Sequence, residues 1–580
     1  MKTDRGFRMI DRLPAQDLGD RSRWLWLASG ASLAFGLAAW ATGTLSGGVL
    51  AWWAFMLAAA LIAFVLPLPL ALVSPLFMGV VAWLVDMLPT ITLVGWSAVL
   101  LRWALLLLNE RRWPHCGRWM WLPVVLTLWT ALGVVVVPAA DLRHFMLLVA
   151  IQVLISGVLL AVVDTLRTFD DRVRVVSALT LFVVVLSAGV LLEWMGLPVG
   201  EMQNGEVSTR VEEAYGLDVF PNSVGMTNYV RAKNAGAAKL REEVSELVER
   251  NPGMPEVSVY APPFTAFDTS IVVRFEGSAR EFEDELRSLD VELLYDNVGL
   301  APMSTVPRLR SFPRNALTYA GICVALFPLA FYLAWTGRGR RRWLGWAGVA
   351  GCLFGVGFSL ARGAWIAILI GIVYLMVDGR LSWRRKGQML GAVVAAAALM
   401  TTFYITSYGV DPATGRAGAR GSIGTRQTVY QETVDVLQGK HFLIGFGTTR
   451  PRAEGGEERG RYVPRAGTHS TYLNYLFRAG IVGGLAIAAI YALSWLHARA
   501  ASRLRDGNEA LFNTLLAGAI FSVAAHAAIL SLYVEPLYTL VVSLLLALSM
   551  AGAMDLPGSI LFWRKAGRRP SEASSEAEAP

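Results

Sequence analysis

Four polar stretches of this chain hold residues suited to one kind of chemistry. The first, Leu309-Arg310-Ser311-Phe312-Pro313-Arg314-Asn315, ends at an apolar run. The second, Ser359-Leu360-Ala361-Arg362-Gly363-Ala364-Trp365, joins two apolar runs. The third runs from Arg426 to Thr433 and is followed by Gly445-Phe446-Gly447. The last is Gly467-Thr468-His469-Ser470-Thr471-Tyr472-Leu473, which closes an arginine-rich segment. Beyond it the chain stays apolar for roughly a membrane's thickness, with glycines at 480, 483 and 484. Arginine remains protonated and grips phosphate oxygens with a planar, two-pronged fork. Histidine accepts a proton from a hydroxyl near neutral pH. Arg310, Arg314, Arg362 and Arg426 around one cavity, with His469 as base, would hold a lipid-linked diphosphate and transfer the group it carries to an acceptor without a metal.

Plainer readings stand beside this one. A lone interfacial histidine also fits a structural role. Arg362, in a tight turn, also fits a cap on the preceding helix carbonyls or a lipid-headgroup contact. Arg310 and Arg314 also fit interface anchors. Arg426 also fits the solvated face of a surface helix, with Val429, Thr433 and Val436 on one side. Arg102 lies deep in an apolar run, where a charge is a functional signal by default, although snorkelling accounts for it equally well. His526 reads as hydrogen-bonded core and Asp170-Asp171 as solvated loop. Cys116, Cys323 and Cys352 form an odd set, two of them inside apolar runs, which argues against a disulfide framework. No CxxC or HExxH spacing occurs, so metal chemistry has no support, and no cofactor is implied.

The elements that would position these residues are membrane spans. The chain has 580 residues, of which 55% are hydrophobic and 17% charged. Soluble domains carry about 25% charged residues. Apolar runs of about 20 residues fall near 24–44, 49–66, 69–87, 91–108, 121–137, 144–164, 175–196, 316–335, 343–360, 364–377, 388–407, 471–495, 511–530 and 536–553. The first reads as a retained span and not a removed signal peptide. The net charge of +8 does not indicate nucleic-acid binding, because the basic residues concentrate in alternate short loops. These hold Arg111, Arg112 and Arg118; Arg167, Arg172 and Arg174; Arg338 to Arg342; Arg380 to Lys386; and Arg499, Arg503 and Arg505. The positive-inside rule then places both termini in the cytoplasm and His469 on the outer face. Apart from Arg102, the spans read as almost free of charge.

The expected fold is an all-α polytopic membrane protein of about 12–14 transmembrane helices, with a small extracytoplasmic α/β insert. Residues 1–196 form an N-terminal bundle of about seven spans and 197–315 the insert. Residues 316–407 carry the Arg362 turn and 408–470 form a large outer loop. Residues 471–560 complete the bundle, and 561–580 read as a disordered cytoplasmic tail. Within the insert the pattern predicts a helix from Asn228 to Arg250 and strands at Val257–Tyr260, 271–275 and 291–295, with a short helix around Phe282 to Leu289. The acidic insert reads as a structural or partner-docking cap.

Taken in order, the four stretches resemble signatures of the O-antigen ligase/polymerase superfamily of bacterial envelope glycosyltransferases. Phe312 to Leu317 is similar to its Asn-Pro-Asn-x-Leu-Ala step, with Phe in place of the first Asn. Ser359 to Trp365 is similar to its Ser-Arg-Gly-x-Trp turn, with two residues inserted after the serine. Arg426 with Gly445-Phe446-Gly447 resembles its Arg…Gly-x-Gly stretch. His469-Ser470-Thr471-Tyr472-Leu473, with Gly480 and Gly483, resembles its His-Asn/Ser-x-Tyr-Leu…Gly-x-x-Gly signature. The resemblance implies a multi-pass enzyme of the bacterial inner membrane, working at the periplasmic face. Its donor would be an undecaprenyl-diphosphate-linked glycan and its acceptor a hydroxyl on lipid A–core, a glycan or a protein. His469 would be the base, while Arg362, Arg426 and an arginine at 310–314 would bind the diphosphate. A polysaccharide or lipid flippase is the rival of a different class. It would need a polar path through the bilayer, whereas the polar residues here concentrate on one face.

Overall fold

A computed structural model describes residues 57, 61–84, 90–137, 142–194, 226–232, 257–260, 270–275, 291–297, 316–359, 361–408, 430–431, 437, 439–447, 470–530 and 536–554. The protein is a multi-pass membrane protein whose membrane part is all-α. Seven of its described helices are long and apolar enough to span a bilayer, and four shorter apolar helices accompany them. In chain order they are α1 (Leu68–Ala71), α2 (Ser74–Leu84), α3 (Thr90–Asn109), α4 (Leu122–Leu132), α5 (Leu142–Thr165) and α6 (Phe169–Trp194). After the insert come α7 (Ala316–Thr336), α8 (Arg340–Phe358), α9 (Arg362–Val377), α10 (Trp383–Tyr408) and the short α11 (Lys440–Ile444). The chain closes with α12 (Thr471–Leu504), α13 (Gly507–Ile529) and α14 (Pro536–Ala553). The runs predicted at 24–44 and the tail at 561–580 lie outside the described residues.

α7 is the axis of the bundle. It is apolar on every face, and such a helix must be covered all round. Its residues from Thr318 to Ala334 are buried against α6, α8, α13 and α14. Lipid tails are as apolar as leucine, so close packing, not water exclusion, must hold helices together in a bilayer. α8 supplies it with small residues. Gly345 meets the Ala334 backbone, Gly348 the Thr180 methyl, Gly351 the Ser187 hydroxyl and Gly355 the Tyr319 ring. The Tyr319 phenol and the Ser187 hydroxyl share a hydrogen bond of 2.8 Å across this seam. The seam fixes where α8 ends, and therefore where the Arg362 turn begins.

Prolines shape the second and third apolar runs. The helix at 61–65 stops before Pro67, and the run at 69–87 divides into α1 and α2. A break in a membrane helix leaves carbonyls without partners. Arg102 of α3 answers that need, donating through Nη1 to the carbonyls of Ala63 (2.7 Å) and Leu66 (2.6 Å). Its charge therefore serves the backbone of a neighbouring helix.

The segments rich in basic residues meet at one end of the bundle. Asp164, at the end of α5, accepts both prongs of Arg112 (2.8 and 3.0 Å) and Arg167 (3.0 Å). It also accepts the Trp103 indole (3.0 Å) and the His115 N–H (2.9 Å). Bonding to Asp164 raises the already high pKa of Arg112 further, so this pair holds its charge. Arg172 reaches Glu509 across the bundle at 2.6 Å. Two expectations change at this end. Asp170 and Asp171 belong to the first turn of α6, not to a loop. The Thr168 hydroxyl donates to Asp171 at 2.7 Å and accepts its N–H at 3.1 Å, a reciprocal cap. Arg499 and Arg503 ride the last turns of α12, because that helix continues past the apolar run as far as Leu504.

The insert contains a four-stranded antiparallel sheet, β1 (Met226–Ala232), β2 (Val257–Tyr260), β3 (Ser270–Phe275) and β4 (Val291–Asn297), ordered β2-β3-β1-β4. The three expected strands are present, each with one or two residues added at most. The helix predicted from Asn228 is overturned over its first residues, which form the inner strand β1. Thr227, Tyr229 and Val230 favour extended chain, and β1 is paired on both sides, with Tyr229 opposite Val272 and Tyr295. The remainder of that helix, and the one around Phe282 to Leu289, lie outside the described residues.

Candidate functional site

At the end opposite the basic segments, several short joints come together. α8 ends at Ser359, whose hydroxyl donates to the Val356 carbonyl (2.9 Å) and accepts the Ala361 N–H (3.3 Å). With the turn closed by serine, Arg362 is not needed as its cap. Arg362 opens α9, is exposed, and has no hydrogen bond or ion pair among the described residues. Its guanidinium is therefore available.

The turn is tied to the start of α12 through α13. Gly363 lies against Ile529, the last residue of α13. The next residue, Leu530, accepts a hydrogen bond from the Thr471 hydroxyl at 3.2 Å. Buried Ser470 caps α12, accepting the Leu473 N–H at 3.5 Å. The backbone that leaves His469 is thereby anchored beside the Arg362 turn. His469 itself, with Arg310, Arg314 and Arg426, lies outside the described residues. So does the helix expected after Arg426, except residues 430–431, which are helical.

α12 is two helices joined at a break. Ala479 and Gly480 leave the helical region, with Gly480 at φ +65° and ψ −167°. Only glycine adopts that conformation at low cost. Three carbonyls freed by the break find new partners. Phe446 N–H donates to the Phe477 carbonyl and Gly447 N–H to the Arg478 carbonyl, both at 2.9 Å. The Trp129 indole, from α4, donates to the Ala479 carbonyl at 3.0 Å. Gly445-Phe446-Gly447 thus splints the broken helix. Gly445 (φ +77°) and Gly447 (φ +72°) allow the close approach, and a side chain at Gly445 would strike the Arg478 carbonyl. The rings of His441, Phe446 and Phe477 stack at 4.2 and 4.7 Å between centroids and hold the splint in place.

Sequence reasoning passed over Arg478. It sits just before the break and is only 2% exposed, and its Nε and Nη2 have no hydrogen-bond partner. Its signal was a charge inside an apolar run, the rule that drew attention to Arg102. His526, by contrast, is core as expected, with Nδ1 at 3.3 Å from the Tyr538 hydroxyl. Among the described residues no cluster of metal-ligating side chains occurs.

The Arg362 turn, the Gly-x-Gly splint and the break in α12 fall within one matched stretch. Residues 347–488 match the family model described as O-antigen ligase. The match runs from the middle of α8 to beyond the break in α12. It contains Arg362, Arg426, the Gly-x-Gly splint and His469, while Arg310 and Arg314 precede it. The resemblance to the O-antigen ligase/polymerase superfamily holds over this stretch, and it supports a glycosyl-transferring membrane protein in general terms. No curated protein matches the chain.

Proposed function

We propose that this protein transfers a glycan from undecaprenyl diphosphate to an acceptor hydroxyl at the periplasmic face of the bacterial inner membrane, with both termini in the cytoplasm. One observation carries the reading. Within the stretch that matches the O-antigen ligase model, the Arg362 turn and the start of α12 lie together at the bundle end remote from the basic segments, where Arg362 is exposed and the chain leaving His469 is anchored. In this reading the arginines neutralise the diphosphate and stabilise it as it leaves. His469 removes the proton of the acceptor hydroxyl, the attacking oxygen replaces the diphosphate oxygen on the sugar, and no metal takes part. Partners are the lipid-linked donor, a lipid or glycan acceptor, and membrane lipid. A lipid A–core or growing-glycan acceptor is favoured over a protein hydroxyl.

The break in α12 and the buried Arg478 favour a second reading, a lipid-linked glycan flippase, since transporters also use interrupted helices and buried charge. Reconstitution in vesicles separates the two. The purified protein receives a lipid-diphosphate-linked glycan with lipid, glycan and protein acceptors in turn. Transfer to any of them supports the enzyme. Donor crossing the bilayer without transfer supports the flippase.

A further inference from the structure

We propose that Arg478 is a binding residue for a phosphate group of the lipid-linked donor, held at the break in α12. The inference rests on the glycosyl-transfer reading of the site. A guanidinium removed from water needs an anion or a full set of acceptors, because an unpaired buried charge is strongly destabilising. Arg478 is 2% exposed, its Nε and Nη2 are without partners, and no ion pair to it occurs among the described residues. Nε and Nη2 lie on one edge of the fork, the edge that takes an oxyanion bidentately.

The surroundings fit an anion arriving from the membrane surface. Arg478 lies seven residues into α12 from Thr471, about 10 Å below the helix start at the helical rise. Asn474, four residues earlier and on the same helix face, is buried as well. The polar stripe therefore runs inward from the residue that follows His469 and Ser470. The splint keeps Arg478 in position, with its carbonyl satisfied by Gly447 and the carbonyls on either side by Phe446 and Trp129. With the backbone satisfied, only the guanidinium asks for a partner.

The chemical class is phosphate, and two sources offer it: the donor's diphosphate and a phospholipid headgroup. The test is ligand-dependent thermal stabilisation of the full chain in neutral detergent, followed by transfer kinetics. The probes are undecaprenyl diphosphate and phosphatidylglycerol, applied to the wild type, Arg478→Met and Arg478→Lys. Methionine keeps the bulk without the charge, and lysine keeps the charge without the fork. Stabilisation by undecaprenyl diphosphate should weaken about 10- to 100-fold in apparent affinity in Arg478→Met, and less in Arg478→Lys. In transfer assays the KM for the donor should rise more than kcat falls. Selective loss of phosphatidylglycerol binding would overturn the donor assignment. Unchanged donor affinity with equal or higher stability in Arg478→Met would overturn the inference, as a core arginine or one paired with an acidic side chain of the chain would give. If Arg478→Met does not fold, Arg478→Lys decides by the same two readouts. Donor binding lost in the variant, with no transfer by the wild type to any acceptor, would remove the glycosyl-transfer reading and leave the phosphate site standing.

Discussion

At the scale of single residues, position separates the arginines by role. Arg102 spans from α3 to the carbonyls of Ala63 and Leu66 and acts on the backbone. Replacing Arg102 with Leu should lower stability by about 1–3 kcal/mol for each carbonyl left buried and unbonded, read as thermal unfolding in detergent, with donor affinity unchanged. Arg362 has no such bond and is exposed. Arg362→Lys should therefore fold normally yet weaken donor binding, since an ammonium lacks the two-pronged fork. Unchanged donor binding would send Arg362 back to a headgroup or structural role. The chemistry proposed for Arg362 and His469 rests on residue type and local context, both of which the sequence carries. The role of Arg102 was not legible there, because its partners are backbone atoms 36 and 39 positions away.

At the scale of elements, the broken helix is the main device. The run at 471–495 reads as one uninterrupted span, and hydropathy does not register a break whose carbonyls are satisfied from elsewhere. The glycines at 480, 483 and 484 were visible, but the partners that make a break affordable, Trp129 and Phe446-Gly447, are not local. Gly480→Ala should be costly on two counts: alanine is strained at φ +65°, and its methyl would meet the Leu443 carbonyl. The expected result is displacement of the 439–447 segment, seen as faster proteolysis there, together with loss of transfer. Wild-type protease resistance in Gly480→Ala would show that the splint does not depend on the break. Strands of the insert were legible from β-branched and aromatic runs. The predicted helix was wrong over residues 228–232, which belong to β1, because the helical pattern beginning at Leu240 was extended too far back.

At the scale of the molecule, the alternation of basic segments translated into geometry. Arg112, Arg167, Arg172 and Arg380 meet partners at a common end, from Asp164 to Glu509 and Ser502. Their convergence supports the proposed orientation, and surface labelling tests it. Trp113 sits at the basic end and Val135 at the opposite end, and both are exposed. In a chain with its native cysteines replaced, a membrane-impermeant thiol reagent added from outside the inner membrane should label Val135→Cys and spare Trp113→Cys. The reverse pattern would invert the orientation. Removing the sheet-bearing part of the insert, residues 226–297, which leaves Arg310 and Arg314 in place, should leave donor binding intact if the insert is a cap. The acceptor is the part least legible in the sequence, because no residue of the proposed site distinguishes a lipid, a glycan or a protein hydroxyl. The most direct test of the account is glycan transfer from undecaprenyl diphosphate by purified protein in vesicles, wild type against His469→Ala at equal expression. The account predicts transfer by the wild type to a lipid or glycan acceptor and none by the variant. Transfer by His469→Ala at near the wild-type rate would contradict it.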